Sequence, residues 1–354
     1  MTENKSVRVS IIVACRNERT AIHDLLRSIV SQDLGEPWEV IVADGMSDDG
    51  TREILGDYSA RYACLRIVDN PGRIVSTGLN AAIRIARADL VLRMDAHTQY
   101  APDYCRTCLN VMEKTGADNV GGPARTRTKG ILGGAVAAAY HSRFSTGGAK
   151  FHNVNYQGWV DTVPYGCWRK STLERIGLFD EALVRNQDDE LNLRLCRAGG
   201  KIWQDPAIVS WYSPRSDLSK LFHQYFQYGF WKVAVIRKHR LPASWRHLVP
   251  VLWLLINSML LAAMGITKVA HSERIFFDAS ALWLTMMAFY SAASMVAAIQ
   301  AAGKHQWAAL LYLPAVFATY HLSYGMGFAA GLFSFRKRRT SASSLPEAFV
   351  KLTR

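Results

Sequence analysis

Val7 to Ala14 is a run of mostly β-branched residues that ends at Cys15, Arg16, Asn17 and Glu18. The next apolar positions, Ile22, Leu25, Leu26 and Ile29, recur at helical spacing, so the pattern predicts a strand, a loop and a helix. The same unit returns at Trp38 to Ala43, where the polar loop from Asp44 to Thr51 leads into a second helix. Leu65 to Val68 predicts a third strand, followed by Asn70, Pro71, Gly72 and Arg73 and a helix from about Ser76 to Ala86. Leu90 to Met94 predicts a fourth that runs directly into Asp95. Strands with no polar face must be covered on both sides, so their alternation with amphipathic helices predicts an α/β fold with a mostly parallel sheet flanked by helices.

From Asn119 to Tyr212 the pattern is less regular and begins rich in glycine, at Gly121, Gly122, Gly130, Gly133 and Gly134. The apolar stretch Ala135 to Ala139 is too short to cross a membrane. Thr162 to Cys167 predicts a strand feeding a helix at Lys170 to Ile176; Asp188 to Arg197 predicts a further helix and Lys201 to Asp205 a short strand. Between Leu218 and Ile236, aromatic and apolar residues recur among His, Gln and Lys, the pattern of an amphipathic helix lying in a membrane interface or packed on the soluble part. Leu248 to Ile266, Ile275 to Ile299 and Ala308 to Phe335 follow, with Asp278 the only formal charge within them. Uncharged stretches of that length predict membrane helices, two or three of them spanning. The expected organisation is a catalytic domain at 1–217, divided into a nucleotide half at 1–118 and an acceptor half at 119–217. A basic interfacial region at 218–247, a membrane domain at 248–335 and a basic tail at 336–354 complete it.

Charge sharpens this division. Lys and Arg number 42 against 29 Asp and Glu, a formal excess of +13. Lys232, Arg237, Lys238, Arg240 and Arg246 have no acidic residue among them and stop where the apolar stretches begin, which points to anionic lipid rather than nucleic acid. The N-terminal residues lack the apolar core of a signal peptide, so the first domain is expected in the cytoplasm. Three full crossings would leave Arg336 to Arg339 outside, against the bias of positive charge, so a cytoplasmic tail is expected, with Leu248 to Ile266 lying along or dipping into the membrane. The 6 cysteines are too scattered to staple a chain of 354 residues. Cys105 and Cys108 have the spacing of half a zinc site, but no second pair accompanies them and a helix surface is the expected place for both.

In a parallel sheet, side chains beyond the carboxyl ends of the strands are not consumed by the core. Asn17, Glu18, Asp44, Asp48, Asp49, Asp95 and His97 all fall there. Asp95 and His97, separated by small Ala96, can turn one carboxylate and one imidazole toward the same Mg2+ or Mn2+ ion. Such an ion completes its shell with substrate phosphates. Neither GxxxxGK[ST] nor a GxGxxG after a strand occurs, which removes most support for kinase, NTPase and nicotinamide-enzyme readings. Asp188 and Asp189, at a predicted helix start, are either caps of that helix or carboxylates aimed into a cleft, where one could serve as a general base. Glu190 and Arg194 are four apart and predict a supporting ion pair.

These residues carry a resemblance to the inverting family 2 glycosyltransferases of GT-A fold, above all the membrane-associated exopolysaccharide glucosyltransferases of the succinoglycan type. SIIVACRNE resembles that family's first strand and loop, and IVADGMSDDGT its uridine-binding loop with Ala43 in place of the first acid. The resemblance implies that Asp44 contacts uracil, that Asp95 is the first acid of the DxD motif with His97 in the second place, and that Asp188, after Gln187, is the catalytic base. Gln227, Tyr228, Gly229, Phe230 and Trp231 resemble QxxRW, with Phe230 where arginine is usual. Glu18, Asp44, Asp95, Gln227 and Trp231 are thereby expected to bind the donor. The implied reaction is inverting transfer of a hexose, glucose by the likeness, from a UDP-sugar to a saccharide on a polyprenyl diphosphate. The implied setting is the bacterial inner membrane, beside other polysaccharide assembly proteins. A processive polysaccharide synthase and a non-catalytic scaffold are the rival expectations.

Overall fold

The computed structural model describes residues 7–242, 244–305, 307–335 and 349. The basic residues Arg336 to Arg339, and with them most of the expected tail, lie outside the described residues. The elements run β1 (Val9–Cys15), α1 (Ile22–Val30), β2 (Trp38–Asp44), α2 (Thr51–Arg61), β3 (Leu65–Asp69), α3 (Val75–Ile85), β4 (Leu90–Arg93), β5 (Thr98–Tyr100) and α4 (Tyr104–Thr115). They continue through β6 (Asn119–Gly121), β7 (Arg125–Thr126), α5 (Gly130–Tyr140), α6 (Arg143–Thr146), β8 (Gly158–Val160), β9 (Cys167–Arg169), α7 (Lys170–Ile176), α8 (Gln187–Arg197), β10 (Ile202–Gln204) and β11 (Ser210–Tyr212). Four long helices close the chain: α9 (Leu218–His239), α10 (Val249–Val269), α11 (Glu273–His305) and α12 (Leu313–Ser334). The chain divides into two compact units, Met1–Arg127 with Lys150–Ser213, and Thr128–Ala149 with Pro214–Arg354.

In the first unit an eight-stranded sheet has the order β3-β2-β1-β4-β9-β6-β10-β8. β3, β2, β1 and β4 pair in parallel, each return being made by a helix, as the alternating pattern requires. β9, entered from a loop without a crossover helix, runs antiparallel to both neighbours, so the sheet is mixed in its second half. The strand expected from Thr162 is confined to Cys167–Arg169 because Tyr165 (φ 59°) and Gly166 (φ 103°) take left-handed backbone and interrupt the extended chain. A separate three-stranded sheet, β5-β11-β7, follows directly from the end of β4.

Alternate side chains of each strand enter different cores. Val9, Ile11, Val13, Val40, Val42, Leu90 and Leu92 pack with Ile22, Leu25, Leu26 and Ile29 of α1 and with α4. Ile12, Ile41 and Val91 pack on the other face with Leu79 and Ile83 of α3 and Leu191 and Leu195 of α8. Each such side chain contributes about 1.5–3 kcal/mol by leaving water. Cys105 and Cys108 are on a helix, α4, but not on its surface: both are fully buried in the first of these cores. Their spacing of three places them on one face, and the run of Tyr104, Leu109 and Met112 turns that face inward.

In the second unit α5 supplies Ala135, Val136, Ala138 and Ala139 to a core with Ala297, Ala298, Ala301 and Ala302 of α11 and Val316 and Phe317 of α12. α9 and α12 lie so close that a Cβ on Gly327 would meet the Phe226 carbonyl at 1.9 Å, and one on Gly229 the Tyr324 carbonyl at 2.1 Å. Glycine is therefore required at both crossings. The segments Trp245–Val269 and Glu273–Gly303 are long and apolar enough to cross a membrane. Their large side chains face outward, Met259 at 70%, Phe277 at 74% and Phe289 at 74% exposure, unlike those of a buried helical hairpin. Between them Trp283 Nε1 donates to Asn257 Oδ1 at 3.1 Å and Asn257 Nδ2 to the Trp253 carbonyl at 2.8 Å. The stretch expected as a third membrane segment starts with a 3-10 turn, Trp307–Ala309, before α12.

Candidate active site

β1 lies between β2, which follows it, and β4, reached after the chain has passed through β3. A crevice opens at such a reversal, beyond the carboxyl ends of the strands. The register levels Cys15 with Asp44 and Asp44 with Asp69, so the loops after β1, β2 and β3 emerge side by side.

Side chains stitch those loops together. Asn17, held at φ 55°, donates Nδ2 to Asp48 Oδ1 at 2.9 Å and accepts the Asp48 amide on Oδ1 at 3.1 Å. Asp44, fully buried, accepts from Ser47 Oγ at 2.5 Å and from Arg52 Nη1 at 3.0 Å, while Arg52 Nη2 reaches Asp69 at 2.6 Å. Asp49 takes the Thr51 hydroxyl and the Arg19 amide; burial pushes its carboxyl up, but these hydrogen bonds outweigh it and hold it below the ordinary value. Asp44, Asp48 and Asp49 thus all have loop-building partners, and a nucleotide would meet a preformed rim.

At the end of β4 the sequence hides a feature. Arg93 is the last residue of an otherwise apolar strand and is 3% exposed. Its Nε and Nη2 donate to Asp95 Oδ1 and Oδ2, each at 2.9 Å, and its Nη1 donates to Asp188 Oδ1. Asp95 and Asp188, distant in the chain, therefore share one guanidinium. Asp95 is fixed further by its amide, which donates to the Tyr100 hydroxyl at 2.7 Å. Asp188 lies in the first turn of α8, preceded by Asn186 at φ 60°, and its side chain is 35% exposed. Burial pushes the Asp188 carboxyl above the usual aspartate value, against the opposing pull of the Arg93 charge. Glu190 and Arg194 form the predicted pair, with the guanidinium also holding the Ile176 and Leu178 carbonyls, so α8 is anchored behind Asp188. Arg93 escaped the sequence reading because its second partner is 95 residues away. A charge inside a buried strand, which must be paired, was the available signal.

His97 Nε2 lies 3.0 Å from Oε1 of Glu18, a residue 4% exposed. The contact becomes an ion pair when the imidazole is protonated. Among the described residues no three His, Cys, Asp or Glu side chains form a closed metal site. Both Asp95 oxygens are taken by Arg93, and His97 lies against Glu18. Asp95 and His97 are 30% and 33% exposed in their side chains, carboxylate and imidazole suit a hard or borderline dication, and a carboxylate behind the imidazole is the usual support of a ligating histidine. Arg93, Asp95 and Asp188 together carry one formal net negative charge.

Gln227 and Trp231 belong to the second unit. Both lie on α9 at 1% exposure, and Trp231 Nε1 donates to the Phe349 carbonyl at 2.9 Å. Phe230, where QxxRW carries arginine, stacks on Phe349 with centroids 4.3 Å apart and meets Phe335 at 5.0 Å, a surrounding that suits an aromatic ring and not a cation.

A mixed α/β sheet whose strand order reverses at β1, with acids at successive strand ends, has the layout of a GT-A-like fold. The sequence profile described as glycosyl transferase family 2 matches residues 10–171, and the chain belongs to that family, which makes it a sugar transferase. It is 32% identical over 243 residues to the succinoglycan biosynthesis protein ExoA of Rhizobium meliloti, covering 68% of this chain and 74% of that protein. It is 27% identical over 258 residues to the dolichyl N-acetyl-alpha-D-glucosaminyl phosphate 3-beta-D-2,3-diacetamido-2,3-dideoxy-beta-D-glucuronosyltransferase of Methanococcus voltae, covering 70% of this chain and 80% of that enzyme. Among solved structures, the mannosyltransferase PcManGT of Pyrobaculum calidifontis, in complex with GDP-Man and Mn2+, shares the fold at TM-score 0.58 and 20% identity over 94% of this chain and 89% of that one.

Proposed function

We propose that the chain is an inverting hexosyltransferase that moves a sugar, glucose in the first instance, from a UDP-sugar to a saccharide carried on a polyprenyl diphosphate, in exopolysaccharide assembly at a bacterial inner membrane. The observation that carries the reading is the shared guanidinium: Arg93 holds Asp95 and Asp188 in one cleft, one carboxylate for the donor side and one for the acceptor side. Glu18 and the rim around Asp44 complete the donor side. The relationship to a succinoglycan biosynthesis protein supports the setting. Two outward-facing apolar helices support membrane attachment, which would confine a lipid-linked acceptor near the site and raise its effective concentration.

Asp188 accepts the proton of the acceptor hydroxyl through the oxygen that Arg93 does not hold. The hydroxyl oxygen forms the new bond to the anomeric carbon as the bond from that carbon to the diphosphate breaks, and UDP departs with the electron pair. A single displacement inverts the centre, so an α-linked donor gives a β-linkage. A divalent ion, Mn2+ or Mg2+, when bound would supply positive charge to the leaving diphosphate; Asp95 and His97 are the residues that would hold it.

The test is transfer from a panel of UDP-sugars to lipid-linked acceptors by the detergent-purified chain, with products identified by mass. Asp188→Asn, which keeps volume and removes basicity, is expected to lower turnover by ~10²–10⁴-fold with UDP binding intact. Undiminished turnover in that variant would remove the base. Long polymer from a single acceptor would replace single-sugar addition by processive synthesis.

A further inference from the structure

Arg93 is gripped by the sheet before it grips anything else. Its amide donates to the Gly166 carbonyl at 3.1 Å, and its position in β4 pairs with Ile12 of β1, so the base of the side chain sits between two strands. The guanidinium then uses one edge for both oxygens of Asp95 and a third N–H for Oδ1 of Asp188. Among the described residues the Asp188 carboxylate has Arg93 as its one side-chain hydrogen-bond donor, through Oδ1, and its side chain is 35% exposed.

We propose that Arg93 is a positioning residue for the transfer, setting the aim of Asp188 relative to the donor-side acid Asp95 from a rigid strand. The inference rests on the reading of Asp188 as the base. A planar guanidinium presents its donors in a fixed fork, so the two carboxylates cannot turn independently while it holds both. Lysine carries the same charge as a single point and cannot reproduce that geometry. Were Arg93 only a buried ion-pair partner that keeps the fold together, its replacement would reduce the amount of folded protein and not the turnover of the molecules that fold.

The experiment compares wild-type chain, Arg93→Lys, Arg93→Ala, Asp188→Asn and the Arg93→Lys/Asp188→Asn double variant in detergent, using the UDP-sugar and acceptor selected by the panel. Circular dichroism and UDP titration identify the folded fraction. For Arg93→Lys, kcat is expected to fall ~100-fold, the effect of a misaimed catalytic group, while the donor KM stays within about threefold of wild type. Guanidinium chloride at millimolar concentration is expected to restore turnover to Arg93→Ala and not to Arg93→Lys, whose cavity is filled. In the Asp188→Asn background, Arg93→Lys is expected to cost nothing further, because the group it aims is already disabled. If Arg93→Ala does not fold, Arg93→Lys and the double variant decide. Undiminished kcat in Arg93→Lys, a loss confined to donor KM, or losses that multiply in the double variant would each overturn the proposal. Full turnover in Asp188→Asn is a different outcome, which removes the base itself.

Discussion

Replacing Glu18 separates two ways in which the site could use it. Its carboxylate is buried and lies 3.0 Å from Nε2 of His97, the imidazole proposed to hold a metal ion. Loss of such a supporting partner lowers metal affinity by ~10–100-fold, or about 1.4–2.7 kcal/mol. Glu18→Gln keeps an acceptor oxygen at the same length and should fall near the lower figure; Glu18→Ala removes the partner and frees the ring to rotate, and should reach the upper one. The backbone amide of Glu18, which donates to Thr51 Oγ1 at 2.8 Å, is retained in both variants, so the loop after β1 keeps its anchor. The assay is calorimetric titration of UDP into the protein with Mn2+ and again with chelator. The expected result is weakened binding in the first titration and unchanged binding in the second. Equal weakening in both would mean that Glu18 serves the nucleotide directly, and unchanged affinity in Glu18→Ala would refute the orienting role.

Because burial, together with the neighbouring Asp95 and Asp189 charges, outweighs Arg93 and raises Asp188 above the ordinary 3.8, its base form disappears at higher pH than a free aspartate's, and the acid limb of kcat should lie above 3.8 in a pH–rate profile. A limb at or below that value would contradict the assignment. Glu39 has the opposite sign: burial raises it, but hydrogen bonds from the Arg87 amide, the Ser10 hydroxyl and the Arg87 and Arg66 guanidiniums prevail and hold it below 4.5. Its contribution is present above the unfolded value and lost as pH falls through the lower folded one, so Glu39→Gln should flatten the acid side of a stability-versus-pH curve measured by thermal melting. For Gly327→Leu the added Cβ meets the Phe226 carbonyl at 1.9 Å, and the detergent-solubilised chain should lose at least ~1–3 kcal/mol, read as a lowered melting temperature; an unchanged melt would mean that α9 and α12 do not need this approach.

The sequence by itself determined the layered half of the molecule. Continuous burial of β1, β2 and β4, and helical periodicity in α1 and α3, are local consequences of which side chains avoid water, and the chain order of strand and helix then leaves little choice of topology. The positions of Asp44, Asp95 and His97 after strand ends were legible for the same reason, as was Asp188 in the first turn of α8. Family motifs added the expected chemistry of each.

Only the tertiary structure decided which of those groups meet. The bond from Arg93 to Asp188, and the contact of Glu18 with His97, join residues far apart in the chain, because strand order and not chain distance brings loop ends together. It also decided the face on which Cys105 and Cys108 lie, since spacing gives two cysteines a common face but not the direction in which that face points. The end of the extended chain at Tyr165 and Gly166, and the approach of Gly327 to α9, are likewise backbone facts that periodicity cannot carry. Local patterns report the solvent preference of each side chain; contacts between distant carboxylates and cations exist only after that preference has folded the sheet.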